Sequence, residues 1–204
     1  GKGAKIKILF NRGTSGIGRD KGASKVQRFS ENIRFLAKGD ISGNGVDDLV
    51  LIVSPQKKGS AKVLFNNGKG YFYSRLKFEL PFVYKGTDRV DLIDLDQDGD
   101  QDLIMSGWNV LLNSNVTKIY KNEPLGTYTE IESGLDFGVS YGSIESADFD
   151  LDGDIDFIIA GADSTENLAT DVLRLNATLV QNNGNFSFTV RQNSQDVRIA
   201  NFRD

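Results

Sequence analysis

The sequence contains no cysteine and no histidine. The first absence excludes disulfide staples, thiol nucleophiles and thiolate metal ligands. The second removes the usual biological acid/base, so Ser–His–Asp catalysis and Cys/His zinc sites are excluded as well. No apolar run reaches the roughly 18 residues that a membrane-spanning helix needs. No segment carries an apolar stripe at the helical period of about 3.6 residues. A chain of 204 residues with no disulfide to brace it has one obvious substitute, a bound metal ion.

Charge is present but unevenly placed. The chain holds 24 Lys and Arg against 28 Asp and Glu, a net charge of −4. Residues 1–38 carry ten Lys/Arg against only Asp20 and Glu31. That stretch reads as a solvated basic face, with an anionic partner as the alternative; no nucleic-acid partner is expected. Thirteen of the 28 acidic residues fall in three short loops. Three divalent cations there would move the net charge from −4 to +2, so the acidic balance of the bare sequence misdescribes a loaded protein.

Those loops recur at a fixed interval. They begin at Asp40, Asp94 and Asp148, two steps of 54 residues. A second phrase repeats out of phase with them: Leu9-Phe10-Asn11-Arg12-Gly13, Leu64-Phe65-Asn66-Asn67-Gly68, Ile119-Tyr120-Lys121-Asn122 and Leu179-Val180-Gln181-Asn182-Asn183-Gly184. Its asparagine advances from 11 to 66, 122 and 182. Two phrases sharing one period define a structural repeat. Each unit reads as β. Short apolar runs such as Leu49–Val53, Leu103–Met105 and Phe157–Ala160 follow the loops. The Asn-Gly phrases signal hairpins, and the aromatics Tyr71–Tyr73, Tyr128, Phe186 and Phe188 suit half-buried strands.

The expected fold is therefore all-β, with four-stranded antiparallel propeller blades of about 54 residues. The expected division is a partial blade over 1–30 and full blades over 31–85, 86–140 and 141–192. Residues 193–204 then supply the first strand of a further blade, because 197–204 resemble 144–151. Three complete and two partial blades imply a segment of a larger propeller, or blades contributed by more than one chain.

The acidic loops carry the chemistry. Loop two is Asp94-Leu95-Asp96-Gln97-Asp98-Gly99-Asp100-Gln101-Asp102, and loop three is Asp148-Phe149-Asp150-Leu151-Asp152-Gly153-Asp154-Ile155-Asp156. Both read D-x-D-x-D-G-x-x-D. Calcium takes six to eight hard oxygens in flexible geometry. Carboxylates at positions 1, 3 and 5 converge if the chain curls, and glycine at position 6 permits the curl. Position 7 offers a backbone carbonyl and position 9 a closing carboxylate. Without a cation, so many carboxylates repel one another. Loop one, Asp40-Ile41-Ser42-Gly43-Asn44-Gly45-Val46-Asp47-Asp48, replaces two carboxylates with the neutral oxygens of Ser42 and Asn44. It is expected to bind most weakly of the three. An EF-hand shares the opening of this pattern but needs Glu at position 12 and flanking helices. Position 12 here is Leu51, Met105 and Ile159, so that reading is excluded.

At these residues the chain resembles the FG-GAP/VCBS repeat family, which includes the calcium-binding propeller of integrin α subunits. Gly39-Asp40 through Asp48-Leu49-Val50 matches the pattern closely, and Pro55 falls where the family often has proline. Gly161-Ala162-Asp163 keeps the Gly-Ala without the proline, and Ser106-Gly107-Trp108 departs further. The resemblance implies a non-catalytic, extracellular or cell-surface binding or adhesion module for a protein or glycan ligand, stiffened by calcium. It implies as ligands Asp94, Asp96, Asp98, the Asp100 carbonyl and Asp102. Asp148, Asp150, Asp152, Asp154 and Asp156 are their equivalents, with Asp40, Ser42, Asn44, the Val46 carbonyl and Asp48 in loop one. Alternatives are a non-catalytic propeller domain of a secreted polysaccharide-active enzyme or toxin, and a structural element of a self-associating surface filament.

Enzyme readings fare poorly. Thr14-Ser15-Gly16-Ile17-Gly18 with Ser60, Tyr73 and Lys77 imitates a short-chain dehydrogenase. The glycine spacing is one residue short, however, and no helix–strand alternation follows. A glycosidase needs paired carboxylates, but Glu79, Glu123, Glu130, Glu132, Glu145 and Glu166 stand singly. No catalytic or organic-cofactor residue is assigned. Asn115-Val116-Thr117, Asn176-Ala177-Thr178 and Asn185-Phe186-Ser187 are N-glycosylation sequons. Trp108 reads as a buried residue, with sugar stacking as its alternative role.

Overall fold

The computed structural model describes residues 5–9, 24–28, 32–54, 60–69, 71–79, 89–109, 112–123, 127–162 and 175–191. Among these residues the chain is all-β. Among the described residues no helix is long and apolar enough to cross a membrane. The chain divides into two compact units, Gly1–Pro81 and Phe82–Asp204.

In the first unit, β1 (Lys5–Leu9) pairs antiparallel with β2 (Ser24–Arg28). Four strands then follow as a meander: β3 (Asn32–Gly39), β4 (Asp48–Ser54), β5 (Ser60–Asn66) and β6 (Phe72–Glu79). Leu51, Val53 and Leu64 form its core, with Ile6, Ile33, Leu49 and Phe72 packed against them.

The second unit holds two more four-stranded meanders. One comprises β7 (Arg89–Ile93), β8 (Asp102–Asn109), β9 (Ser114–Glu123) and β10 (Thr127–Ile131). The other comprises β11 (Ser140–Ala147), β12 (Asp156–Ala162), β13 (Leu175–Asn182) and β14 (Phe188–Arg191). These three four-stranded antiparallel sheets are the blades that the repeat predicts. The second strand of each lies deepest, which explains its near-continuous apolar run. Every residue of β8 is buried. Leu51, Met105 and Ile159 lie in those buried second strands, at 0%, 1% and 0% exposure. That placement disposes of the EF-hand physically: position 12 is core, and its flanks are strands.

One apolar core joins the two sheets of the second unit. Ile93, Leu95, Ile104 and Ile119 meet Ile144, Phe157, Ile159 and Val180, and Leu135 and Val139 of the connecting segment close the gap. Polar ties accompany this packing. Ser106 Oγ accepts from Val139 N at 2.9 Å, Asn115 Nδ2 donates to the Ala162 carbonyl at 3.1 Å, and Arg89 Nε donates to the Gly142 carbonyl. Gly142 and Gly161 allow β11 and β12 to touch here. A Cβ on Gly142 would stand 1.9 Å from the Ala160 oxygen, so no larger residue fits.

Trp108 is buried, at 4% exposure, as the sequence predicts. Of the three sequons, Asn115 is buried, and its amide is engaged with Ala162 and Ser140. A glycan cannot be carried there in the folded state. Asn176 and Asn185 are exposed. The segment 197–204, Thr14–Gly18, Asn11 and Pro55 lie outside the described residues.

Candidate metal centre

Each acidic loop connects the first strand of a blade to its second. Loop one leaves β3 and enters β4 at Asp48, loop two joins β7 to β8 at Asp102, and loop three joins β11 to β12 at Asp156. The loops fold by turning backbone N–H groups inward onto their own carboxylates, a short-range competition with the ladder that Asp and Asn favour. At position 1, Asp40 accepts from Asn44 N at 3.0 Å and Gly45 N at 2.6 Å. Asp148 accepts equivalently from Asp152 N and Gly153 N, and Asp94 from Gly99 N at 3.1 Å. At position 5, Asn44, Asp98 and Asp152 each accept from the residue two further on. Gly45, Gly99 and Gly153 take φ values of 81°, 93° and 100°, which is the left-handed turn that position 6 requires.

Position 9 plays a part that its spacing did not reveal. Asp48, Asp102 and Asp156 are completely buried. One oxygen of each accepts a backbone N–H of its own loop: from Ser42, Leu95 and Phe149 respectively, at 2.9, 2.9 and 3.0 Å. The other accepts from the recurring asparagine: Asn66, Asn122 or Asn182, at 2.7, 2.8 and 2.9 Å. The two repeating phrases are thus the two ends of one clamp. The asparagine is also the turn residue that the Asn-Gly phrase predicts, since Asn66 Oδ1 and Asn182 Oδ1 accept from Gly68 N and Gly184 N. It also crosses to the loop. Asn66 Nδ2 donates to the Asp47 carbonyl, and Asn182 Nδ2 to the Ile155 carbonyl.

These constraints gather carboxylates into two triads. Oxygens of Asp94, Asp96 and Asp102 lie within 4.8 Å of one another, as do those of Asp148, Asp150 and Asp156. Asp98 and Asp152 stand outside the triads, as do the carboxylates of Asp100 and Asp154, whose expected contribution is the backbone carbonyl. In loop one Asp40 and Asp48 accept the corresponding loop N–H groups, and positions 3 and 5 are the neutral Ser42 and Asn44. In loop two, Asp94 Oδ1 and Asp96 Oδ1 are buried without a hydrogen-bond partner among the described residues. The Asp96 side chain is only 9% exposed. Two bare carboxylate oxygens cost several kcal/mol unless a cation meets them. The residues present therefore fit a hard divalent ion.

Charge in loop two is partly answered from within. Lys121 Nζ contacts Asp96 Oδ2 and lies 3.1 Å from Asp98 Oδ2. The hydrogen bond to Asp96 raises the Lys121 pKa; burial opposes it, and the bond to Asp98 and the charges of both aspartates add to the rise. Asp98 is lowered, first by its bond from Asp100 N and then by Lys121. Asp102 goes the other way. Burial pushes it up to about 7, against the bonds from Asn122 and Leu95 and helped by the negative charge of Asp96 and Asp98. A divalent ion would reverse that balance by favouring the charged form. In loop three the corresponding contact is neutral, with Gln181 Nε2 donating to Asp150 Oδ2 at 2.6 Å.

The second and third loops also touch. Gln97 Nε2 donates to the Gly153 carbonyl and to Asp154 Oδ1, both at 2.7 Å. Asn182 Nδ2 donates to the Leu95 carbonyl at 2.7 Å. Nothing in the spacing of the motif pointed to Lys121, Gln181 or Gln97. The only available signal was that Lys121 and Gln181 hold the same place, one residue before the repeating asparagine.

No curated protein matches the chain in sequence. Residues 40–105, from the first residue of loop one to the buried strand beyond loop two, match the FG-GAP-like repeat. The chain thus carries an FG-GAP-like repeat at residues 40–105, set in a fold of four-stranded antiparallel blades.

Proposed function

We propose that this chain is a non-catalytic, calcium-stabilised propeller module that binds a protein or glycan ligand outside the cell. One observation carries the metal reading: the buried oxygens Asp94 Oδ1 and Asp96 Oδ1 meet no hydrogen-bond donor among the described residues. The same triad recurs at Asp148, Asp150 and Asp156. The ions would be held in loop two by Asp94, Asp96, Asp98, the Asp100 carbonyl and Asp102, and in loop three by the matching residues. In loop one Asp40, Ser42, Asn44, the Val46 carbonyl and Asp48 would serve, with the weakest affinity. The ion supplies charge and fixes the loop; the ligand is met by surfaces that the stiffened blades present. Calcium modules of extracellular proteins commonly bind at roughly 10⁻⁴–10⁻³ M, which supports a calcium-rich compartment as the working site.

Calorimetric titration with Ca²⁺, paired with thermal melts in Ca²⁺ and in EDTA, tests the reading. An ion that binds only the folded state adds about 1–3 kcal/mol per site at ten to a hundred times Kd. EDTA is therefore expected to lower Tm by on the order of 10 °C. Asp96→Ala and Asp150→Ala should each remove one binding step, and Ser42→Ala should weaken one only slightly. No heat of binding at millimolar Ca²⁺, together with identical melts, would sink the proposal.

A further inference from the structure

The residue preceding the repeating asparagine faces position 3 of the acidic loop in two of the blades. In the third blade it is Gln181, whose amide bonds Asp150. In the second it is Lys121, whose ammonium bonds Asp96 and Asp98. In the first it is Phe65, which is buried at 3% exposure, and position 3 there is the uncharged Ser42. The charge at position 3 and the residue opposite it therefore vary from blade to blade. Loops two and three each carry five aspartates in nine residues, so their bare electrostatics would be alike. In loop two Lys121 forms ion pairs with Asp96 and Asp98, whereas the side chain at the matching place over loop three is the neutral Gln181.

We infer that Lys121 is a resident counter-cation of loop two, making it the weaker of the two five-aspartate calcium sites and the one that tolerates loss of metal. The inference rests on the calcium reading above and concerns how two otherwise equal sites are graded. An ion entering loop two takes the bare Asp94 and Asp96 oxygens. It then either stands beside a positive charge or drives the ammonium off Asp96. Both routes cost affinity. Two unit charges about 4 Å apart interact by roughly 1 kcal/mol even in bulk water, and a divalent ion doubles this. A penalty of that size weakens binding roughly tenfold or more. In the same position, against Asp96, the ammonium lies 5.4 Å from the centroid of the Phe186 ring, within cation–π range, which helps to hold it over the loop. In low calcium the bargain reverses: Lys121 neutralises part of loop two, whereas Gln181 leaves loop three without that relief. Loop three then fills first and acts as the fixed staple. Loop two fills later and reports a higher calcium level.

The test is calorimetric Ca²⁺ titration and EDTA melting of the whole chain, with Lys121→Gln, Lys121→Arg and Gln181→Lys. Asp150→Ala identifies which step belongs to loop three. Lys121→Gln should tighten the loop-two step roughly tenfold and lower the melting temperature in EDTA, with less effect in saturating Ca²⁺. Lys121→Arg should behave as wild type in both. Gln181→Lys should weaken the loop-three step by a similar factor. If wild type binds Ca²⁺ but neither charge change moves its step, Lys121 is not a counter-cation, and the calcium reading stands. If wild type and Lys121→Gln both bind no Ca²⁺ at millimolar concentration, the calcium reading fails and this inference falls with it. Should Lys121→Gln not fold, Gln181→Lys decides alone, and an unchanged loop-three affinity overturns the proposal.

Discussion

Position 4 of the acidic loops shows how a single residue sets the cost of the curl. Gly43, Gln97 and Leu151 occupy it with φ values of 65°, 58° and 64°. Only the glycine adopts that region without strain; side-chain residues pay roughly 1–2 kcal/mol there. Loop one thus combines fewer charges with an easier backbone, while loops two and three combine more charges with strain. Leu151 is 85% exposed, so replacing it sacrifices no packing. Leu151→Asn, a residue that tolerates positive φ, should stabilise the protein by about 1 kcal/mol and raise Tm by roughly 2–4 °C. A melt no higher than wild type would show that the loop relaxes around leucine at no cost. Asp91 illustrates a different residue-scale cost. Burial raises its pKa, a bond from Leu92 N opposes this, and the charge of Glu145 adds to it. Its folded pKa lies above its unfolded one, so the folded state binds more protons between the two. Stability from this group is full below the unfolded value and is lost as pH rises through the folded value. Asp91→Asn is therefore expected to stabilise at pH 7 and to be neutral near pH 3, as read by urea unfolding at constant Ca²⁺. Equal effects at both pH values would contradict the assignment.

At the scale of the element, the blade is a meander whose first connection is the acidic loop and whose third strand carries the clamping asparagine at or next to its end. Asn182 closes this unit most completely. It is fully buried, takes Asp156 through its N–H, and gives its amide to Leu95 and Ile155 carbonyls. Asn182→Ala strands the buried Leu95 carbonyl and the half-buried Ile155 carbonyl, at about 1–3 kcal/mol for a buried group and less for a half-buried one. The expected loss is roughly 2–4 kcal/mol in urea unfolding with an unchanged m-value. A loss below about 1 kcal/mol would mean that the clamp is carried by the backbone bond alone. Much of this element was legible beforehand. Period, strand content and loop positions follow from local pattern, because glycine at position 6 and alternating aspartates have few other uses. The clamp was not legible. Asp48 and Asn66 are 18 residues apart, Asp102 and Asn122 20, and Asp156 and Asn182 26. A pairing of variable separation leaves no fixed spacing to read. Lys121 escaped for a related reason. A lysine in an exposed-looking phrase has no signature until the fold brings it over Asp96.

At the scale of the whole molecule, the sequence packs thirteen of its 28 acidic residues into three loops while carrying a net charge of only −4. The overall balance is mild and the local imbalance is severe, so the global charge is a poor guide to what destabilises the chain without metal. Self-repulsion acts over short distances, since the oxygens of each triad lie within 4.8 Å of one another. Salt screens over about 10 Å at 0.1 M and about 3 Å at 1 M. Raising NaCl toward 1 M should therefore relieve part of the repulsion between carboxylates that no ion neutralises. In EDTA the melting temperature is expected to rise by roughly 5 °C as NaCl goes from about 0.05 to about 1 M. In saturating Ca²⁺ the same salt should change it little, because the ion has already neutralised the loops. Chloride, unlike sulfate, adds little through general exclusion from the protein surface, so the difference between the two conditions isolates the electrostatic part. A salt response identical with and without Ca²⁺ would place the repulsion elsewhere in the molecule. Basic residues 1–38, whose ten cations face only two acids, would then be the next segment to neutralise and re-measure.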